Sequence, residues 1–386
     1  MGSLLLAIIY LCFISLGLPD ALLGAAWPVL HTEISAPLSY AGLISSAIMV
    51  GTIISSFASD RLLRRFGTGT ITAVSTLFTA LGLFGFSISQ SFVQLLIFAI
   101  PYGLGAGAVD AVLNNYVAVY CKPQHMSWLH GMWGLGATLS PYIMSFSLAQ
   151  LADWSYGYLI VSVIQLTLAL FMLFTLPLWK RTAASESETA STPPTLKEIF
   201  TTRGTVACFI IPFLYCAFEL TTTLWASSYL VSRWDMTPEL AAGLASTVYL
   251  GITVGRFVNG FLAMRLSDKS LIRLGISLIS VGILLLLIPT SSIFTVIGLV
   301  IIGLGSAPIY PCIIHTTPII FGPERSGALI GIQMAFAYLG FLIVPPIFGL
   351  IAEHISISLL PVFLALLLLP TLLFHERVVR ISKNIK

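Results

Sequence analysis

Gly103-Leu-Gly-Ala-Gly-Ala-Val-Asp110-Ala-Val-Leu-Asn114-Asn115-Tyr116 is a glycine-rich apolar stretch with one acid in its middle, inside a longer apolar run from Phe92 to Val119. A run of that length is long enough to cross a bilayer, which takes about 20 residues. An ionised carboxylate at bilayer depth costs about 2.5 to 3.5 kcal/mol on insertion scales, so an acid kept there is by default functional. Gly103-Leu104-Gly105 returns as Gly303-Leu304-Gly305, an offset of 200 residues, and Gly51, Phe57, Leu62 and Arg65 return at the same offset as Gly251, Phe257, Leu262 and Arg265. Single matches of glycine and leucine are weak, but several in one register indicate an internal duplication.

Composition agrees with a membrane protein. Of 386 residues 57 % are hydrophobic and only 9 % charged, more apolar surface than a soluble domain can hide. Twelve apolar runs, from Leu4–Leu30 to Ser356–Phe374, are separated by short polar breaks, and continuous runs of this kind are helices because lipid offers the backbone no hydrogen-bond partner. The first run lacks a basic leader and is too long for a cleaved signal, so it is expected to remain as span one. The fold class is therefore an all-α membrane protein of twelve transmembrane helices in two pseudo-symmetric six-helix halves, with residues 1–178 as the first half, 179–203 as a polar linker and 204–386 as the second half with a short tail.

The basic residues fall on one side. Breaks after even-numbered spans, with the tail, hold Arg61, Arg64, Arg65, Lys122, Lys180, Arg181, Lys197, Arg203, Arg265, Lys269, Arg273, Arg325, Arg377, Arg380, Lys383 and Lys386, whereas the other side holds Arg233. The positive-inside bias then places both termini and the linker in the cytoplasm, in a plasma (cytoplasmic) membrane. The net charge of +3 gives no reason to expect a nucleic-acid partner, and the five cysteines have no metal spacing. There is no phosphate-cradling GxxxxGK[ST], no nucleophile and base on one helix face, and no large soluble domain; an enzyme is not expected, nor a metal, nor any cofactor beyond a coupling ion.

Three acids lie within spans: Asp20, Asp110 and Glu219, in spans one, four and seven. Asp110 and Asn114 are four apart and share a helix face, where a carboxylate beside an amide suits hydroxyl groups or a cation. Asp20 follows Pro19 and lies three after Gly17, at an expected irregularity of span one; the acid either serves transport or accepts from amides freed at the kink. Glu219 is a second proton site, a substrate ligand, or the counter-ion of Arg256, and pairing is favoured because two opposite charges buried apart would each carry the full desolvation cost. Arg256 is alternatively an inner-gate residue with Asp268 or Asp60, in concert with the Arg61 and Arg64 loop. Burial favours the neutral form of a carboxyl group, so such acids can load and release protons near neutral pH; a sodium ion would suit the same ligands. Proton-coupling candidates are Asp20, Asp110 and Glu219. Substrate candidates are these three with Asn114, Asn115, Trp133, Trp225, Tyr310 and Gln333, since indole faces suit a sugar ring and amides satisfy its hydroxyls. Trp27, His130, His315 and Tyr338 are weaker candidates, with interfacial or gating roles open to the first three.

Two resemblances follow from these residues. Ser56-Phe-Ala-Ser-Asp60-Arg61-Leu-Leu-Arg64-Arg65 resembles the loop between helices two and three of the major facilitator superfamily, with Ser56 and Leu63 where glycine is usual. Gly-Leu-Pro-Asp20, Gly-Ala-Gly-Ala-Val-Asp110-Ala-Val-Leu-Asn114 and Trp128-Leu-His130-Gly-Met-Trp133-Gly-Leu-Gly-Ala resemble the fucose permease branch, with Asp rather than Glu in span four. The resemblance implies proton-coupled symport of a hexose, deoxyhexose or similar polyhydroxylated solute by alternating access. It also implies that Asp20 and Asp110 are the acids of proton coupling and sugar binding. A proton-driven exporter of drugs or metabolites, or a non-transporting sensor on the same fold, are the alternatives. The expected partners are a small-molecule substrate and the lipid bilayer, and the chain is expected to be a monomer.

Overall fold

The computed structural model describes residues 3–121, 123–179 and 204–385. The linker after residue 179 and the basic residues Lys122, Lys180, Arg181, Lys197 and Arg203 lie outside the described residues. Among those described, the secondary structure is entirely helical. Span one is Ser3–Asp20 continued by Leu22–Glu33; spans two to six are Tyr40–Phe66, Thr68–Ser87, Phe92–Tyr120, Pro123–Phe146 and Ser155–Thr175. Spans seven to nine are Thr205–Trp234, Pro238–Leu262 and Asp268–Leu286. Span ten is Ser292–Ser306 continued by Ile309–Phe321, and spans eleven and twelve are Pro323–Ile351 and Leu360–Ile385, with an outer turn between them.

Ten described segments are both long and apolar enough to cross a membrane, one of which, Leu329–Ile381, takes in most of spans eleven and twelve together. Span five is not among the ten, although 24 residues long. Its described part carries His130, Thr138, Ser140 and Ser145, which lower the hydropathy of this stretch. Side chains such as Phe174 and Phe57 point outward, as expected where lipid rather than water is the solvent.

The sequence repeat is visible as a repeated helix crossing. Gly51 of span two packs on the Gly103-Leu104 backbone of span four, and Gly251 of span eight packs on the Gly303-Leu304 backbone of span ten. One face further round, Gly105 meets Ser75 and Thr79 of span three, while Gly305 meets Gly275 and Ile279 of span nine. A Cβ at Gly103 would sit on the carbonyl oxygen of Ile48, and one at Gly303 on that of Val248. Without a hydrophobic force between helices in lipid, close van der Waals approach at small residues is what holds such crossings together.

Three prolines lie inside spans at positions where their cost is visibly offset. A proline has no N–H, so the carbonyl four residues before it loses its helical partner. Pro19 frees the carbonyl of Ser15, which accepts from the buried Gln165 Nε2 of span six. Pro212 frees that of Cys208, which accepts from Gln333 Nε2 at 3.2 Å. Pro346 frees that of Leu342, which accepts from Ser46 Oγ at 2.8 Å. Span one accordingly breaks at Ala21, immediately after Asp20, at the irregularity expected from Gly17 and Pro19.

The two ends of the bundle differ. On the end away from the basic residues, Gly24 of span one lies against the Thr223 and Leu224 carbonyls of span seven, and Gly42 of span two against the Pro346 backbone of span eleven. Ser39 N–H donates to Glu353 Oε2 at 3.0 Å, and Trp225 Nε1 donates to the Pro345 carbonyl at 3.2 Å. Spans one and two are therefore locked to spans seven and eleven on that side. Toward the basic face, Gly260 and Gly331 have open space where a Cβ would stand, and Asp20 and His130 are exposed although both sit well inside the bundle. The protein is closed on one face and open toward the other.

Candidate functional site

Pro19 and the break at Ala21 aim Asp20 sideways from span one, where its Oδ2 accepts a hydrogen bond from Trp133 Nε1 of span five at 2.7 Å. The same indole carries Arg256 of span eight, whose Cζ lies 4.8 Å from the ring centroid, and packs edge-on to Tyr249 at 6.3 Å between centroids. Arg256 Nη1 also donates to the His130 carbonyl at 3.1 Å. Glycines permit this: Gly17 sits on the Trp133 backbone, so spans one and five meet at backbone distance, while Gly134 and Gly131 of span five make room for the Thr253 and Phe257 side chains of span eight.

Asp110 is partly buried on span four, and its Oδ1 accepts from Asn114 Nδ2 at 2.9 Å. The two share a face as their spacing requires, and Asn114 also donates back to the Asp110 carbonyl at 3.0 Å. Asp20 and Asp110 are close enough for their charges to interact. Across the cavity, Tyr310 stacks on Tyr215 at 6.5 Å between centroids, and Tyr215 donates to the Ser306 carbonyl at the break in span ten. Glu219 is partly buried and lies beside Tyr215. Tyr249 is within electrostatic reach of both Asp20 and Glu219, and Tyr310 of both Asp110 and Glu219, which groups the three acids in one region. Tyr338 of span eleven faces the same region, beside Ser56.

Other candidates go elsewhere. Gln333 is 1 % exposed, with its Oε1 accepting from Thr317 Oγ1 at 2.9 Å and its Nε2 on the Cys208 carbonyl, so both ends serve helix packing. Trp225 and Trp27 are fully buried, the first in the closed end and the second donating to the Leu38 carbonyl at 2.8 Å and stacked on His31. Asn115 is exposed. The favoured Glu219–Arg256 pairing does not form: among the described residues the ion pairs within 4.0 Å are Arg273–Glu376 and His315–Asp268, both at 2.7–2.8 Å. Arg256 instead rests on an indole face and donates to one carbonyl. Asp268, one expected gate partner of Arg256, is engaged by His315. The Asp60 and Arg64 side chains lie outside the described residues, and Arg61 is exposed.

Tyr249, Tyr215 and Gln165 were missed in the sequence. Tyrosines in apolar runs pass for interfacial or core residues, and only their partners reveal a polar cavity. Gln165 did carry a signal: an amide inside span six demands a partner, just as Gln333 does.

A family model for the Major Facilitator Superfamily matches residues 9–244 and 213–385. The chain belongs to the Major Facilitator Superfamily. It is similar to Bypass of stop codon protein 6 of Saccharomyces cerevisiae, 23 % identical over 388 residues covering 90 % of this chain and 77 % of that one. It is also similar to the cis,cis-muconate transport protein of Acinetobacter baylyi (26 % identical, 59 % of this chain and 58 % of that one). The hexuronate transporter of Bacillus subtilis is 22 % identical over 65 % of this chain and 62 % of its own length. Among solved structures, the nucleoside transporter NupG superposes with a TM-score of 0.76 at 13 % identity, over 97 % of this chain and 98 % of that one. A D-xylose-proton symporter superposes with 0.74 at 15 % identity, over 96 % of both. These likenesses establish the fold. The chain is a multi-pass membrane protein of a superfamily of transporters.

Proposed function

We propose that this Major Facilitator Superfamily member is a proton-coupled symporter of a sugar or similar small polyhydroxylated solute. It sits in the plasma membrane with both termini cytoplasmic, and its two six-helix halves rock about the central cavity. The observation that carries this reading is Asp20 at the helix break, hydrogen-bonded to Trp133 and within electrostatic reach of Asp110, with Tyr249 between Asp20 and Glu219 in their fields. Acids at such depth can carry a proton between the two faces, and Trp133, Tyr249 and Tyr310 offer aromatic surface for a ring beside them. In the conformation described, the cavity opens toward the basic face, which corresponds to release into the cytoplasm. The fucose-permease-like stretches around Asp20, Asp110 and Trp133 and the sugar-linked names among relatives and structural neighbours support the same reading.

The deciding measurement is uptake by proteoliposomes under an imposed pH gradient, with hexoses, deoxyhexoses, hexuronates and unrelated metabolites in the panel. Collapse of uptake on adding a protonophore, with no demand for sodium, is expected. Asp110→Asn should abolish accumulation while sparing exchange. Undiminished gradient-driven uptake in that variant removes Asp110 from coupling, and transport of an organic cation with none of the sugars or sugar acids overturns the proposal.

A further inference from the structure

Arg256 poses a question that proton coupling leaves unanswered. A cation kept inside a span is expensive unless something answers its charge. The guanidinium offers five N–H donors in a planar fork, of which one bond, to the His130 carbonyl, is made, while one face rests on Trp133. Among the described acids of this region none forms an ion pair with it. Asp20 holds the indole Nε1, Asp110 holds Asn114, Asp268 holds His315, and among the described residues Glu219 is not within 4.0 Å. The result is a half-buried guanidinium on an aromatic floor, beside a cavity open to one face, with most of its fork free. A planar fork matches a carboxylate bidentately, which the point charge of a lysine does not.

We propose that the transported solute carries a carboxylate and that Arg256 binds it, so that the substrate class is a sugar acid or a comparable hydroxylated organic acid. The inference rests on the symport reading of the same cavity. It also supplies a physical reason for coupling. Asp20, Asp110 and Glu219 repel an anion while ionised, and protonation removes that repulsion, so proton and anion load together. Trp133 ties the two events to one side chain, since the indole that carries Arg256 also holds Asp20.

The test uses the full chain in proteoliposomes with a pH gradient and matched labelled pairs: glucose with glucuronate, and galactose with galacturonate. At least one acid should accumulate, with its neutral partner about tenfold slower or worse. Arg256→Gln should lower uptake of the acid about tenfold or more. Arg256→Lys keeps the charge, guards against a folding failure, and should retain uptake with a raised KM. Accumulation of a neutral sugar and not its acid overturns the carboxylate proposal while the symport reading stands. Movement of neither kind of solute overturns both. Unchanged uptake of the acid in Arg256→Gln removes Arg256 as its ligand.

Discussion

Trp133 donates its indole N–H to Asp20 at 2.7 Å while its ring face supports Arg256 at 4.8 Å, so one aromatic side chain on span five joins an acid of span one to a base of span eight. Hydrogen bonds to charged groups contribute about 1.5 to 3 kcal/mol. Trp133→Phe keeps a ring under Arg256 and removes the donor, and should therefore lower substrate exchange by about ten- to a hundredfold. Counterflow measured at fixed pH checks this. Equal exchange rates in the variant would detach the bond from the transport cycle.

Gln333 and Pro212 form a testable pair. Gln333→Leu leaves the Cys208 carbonyl without its donor and should destabilise the protein by about 1 to 3 kcal/mol. Pro212→Ala restores a backbone N–H to that carbonyl, so the double substitution should recover part of the loss, a non-additivity that a double-mutant cycle measures. Thermal unfolding in detergent is the readout. Strict additivity would mean that Gln333 acts by packing alone.

Closure of the face away from the basic residues depends on Gly42, where a Cβ would come within 2.5 Å of the Pro346 Cα. Gly42→Val should hold spans two and eleven apart and shift the population toward opening on that face. A cysteine introduced at Thr223, which is buried behind this closure, should then react several-fold faster with a membrane-impermeant thiol reagent. An unchanged rate would show that the helices accommodate the side chain without opening.

Glu353 gives the same closure a pH dependence. Hydrogen bonding from the Ser39 side chain, and then from its backbone N–H, holds the carboxyl below the usual range, with the imidazoles of His354 and His31 acting in the same direction. A lowered pKa in the closed state means that this contribution is present above the ordinary glutamate value of about 4.3 and is lost as pH falls through the lowered one. Acidification on that face should therefore loosen closure. Accessibility of the Thr223 cysteine, titrated from about pH 6 to about pH 3, should rise in the parent, and Glu353→Gln should flatten the curve at the open end. An identical titration in the variant would assign the effect to other groups.

Much of the site was readable because membrane insertion makes polar residues conspicuous. Asp20, Asp110 and Glu219 stood out against lipid, and the four-residue spacing of Asp110 and Asn114 alone placed them on one face. Gln333 stood out for the same reason yet answers a proline-freed carbonyl, because an amide buried in protein and an amide facing a substrate look identical along the chain. The Glu219–Arg256 pair was expected on charge alone, yet Arg256 turns to the Trp133 ring and the His130 carbonyl of span five instead.

By itself the sequence determined that this chain crosses a membrane repeatedly, since 57 % hydrophobic residues in runs of this length have no other solvent, and that spans two and four recur as spans eight and ten. Tertiary structure alone decided which acids share a cavity, that Trp133 links Asp20 to Arg256, and that Gln165 and Gln333 repair kinks. Hydropathy and periodicity are properties of one helix and can be read from it. Which faces meet depends on crossing points set by glycines and breaks far apart in the chain, and on which face of the bundle is closed.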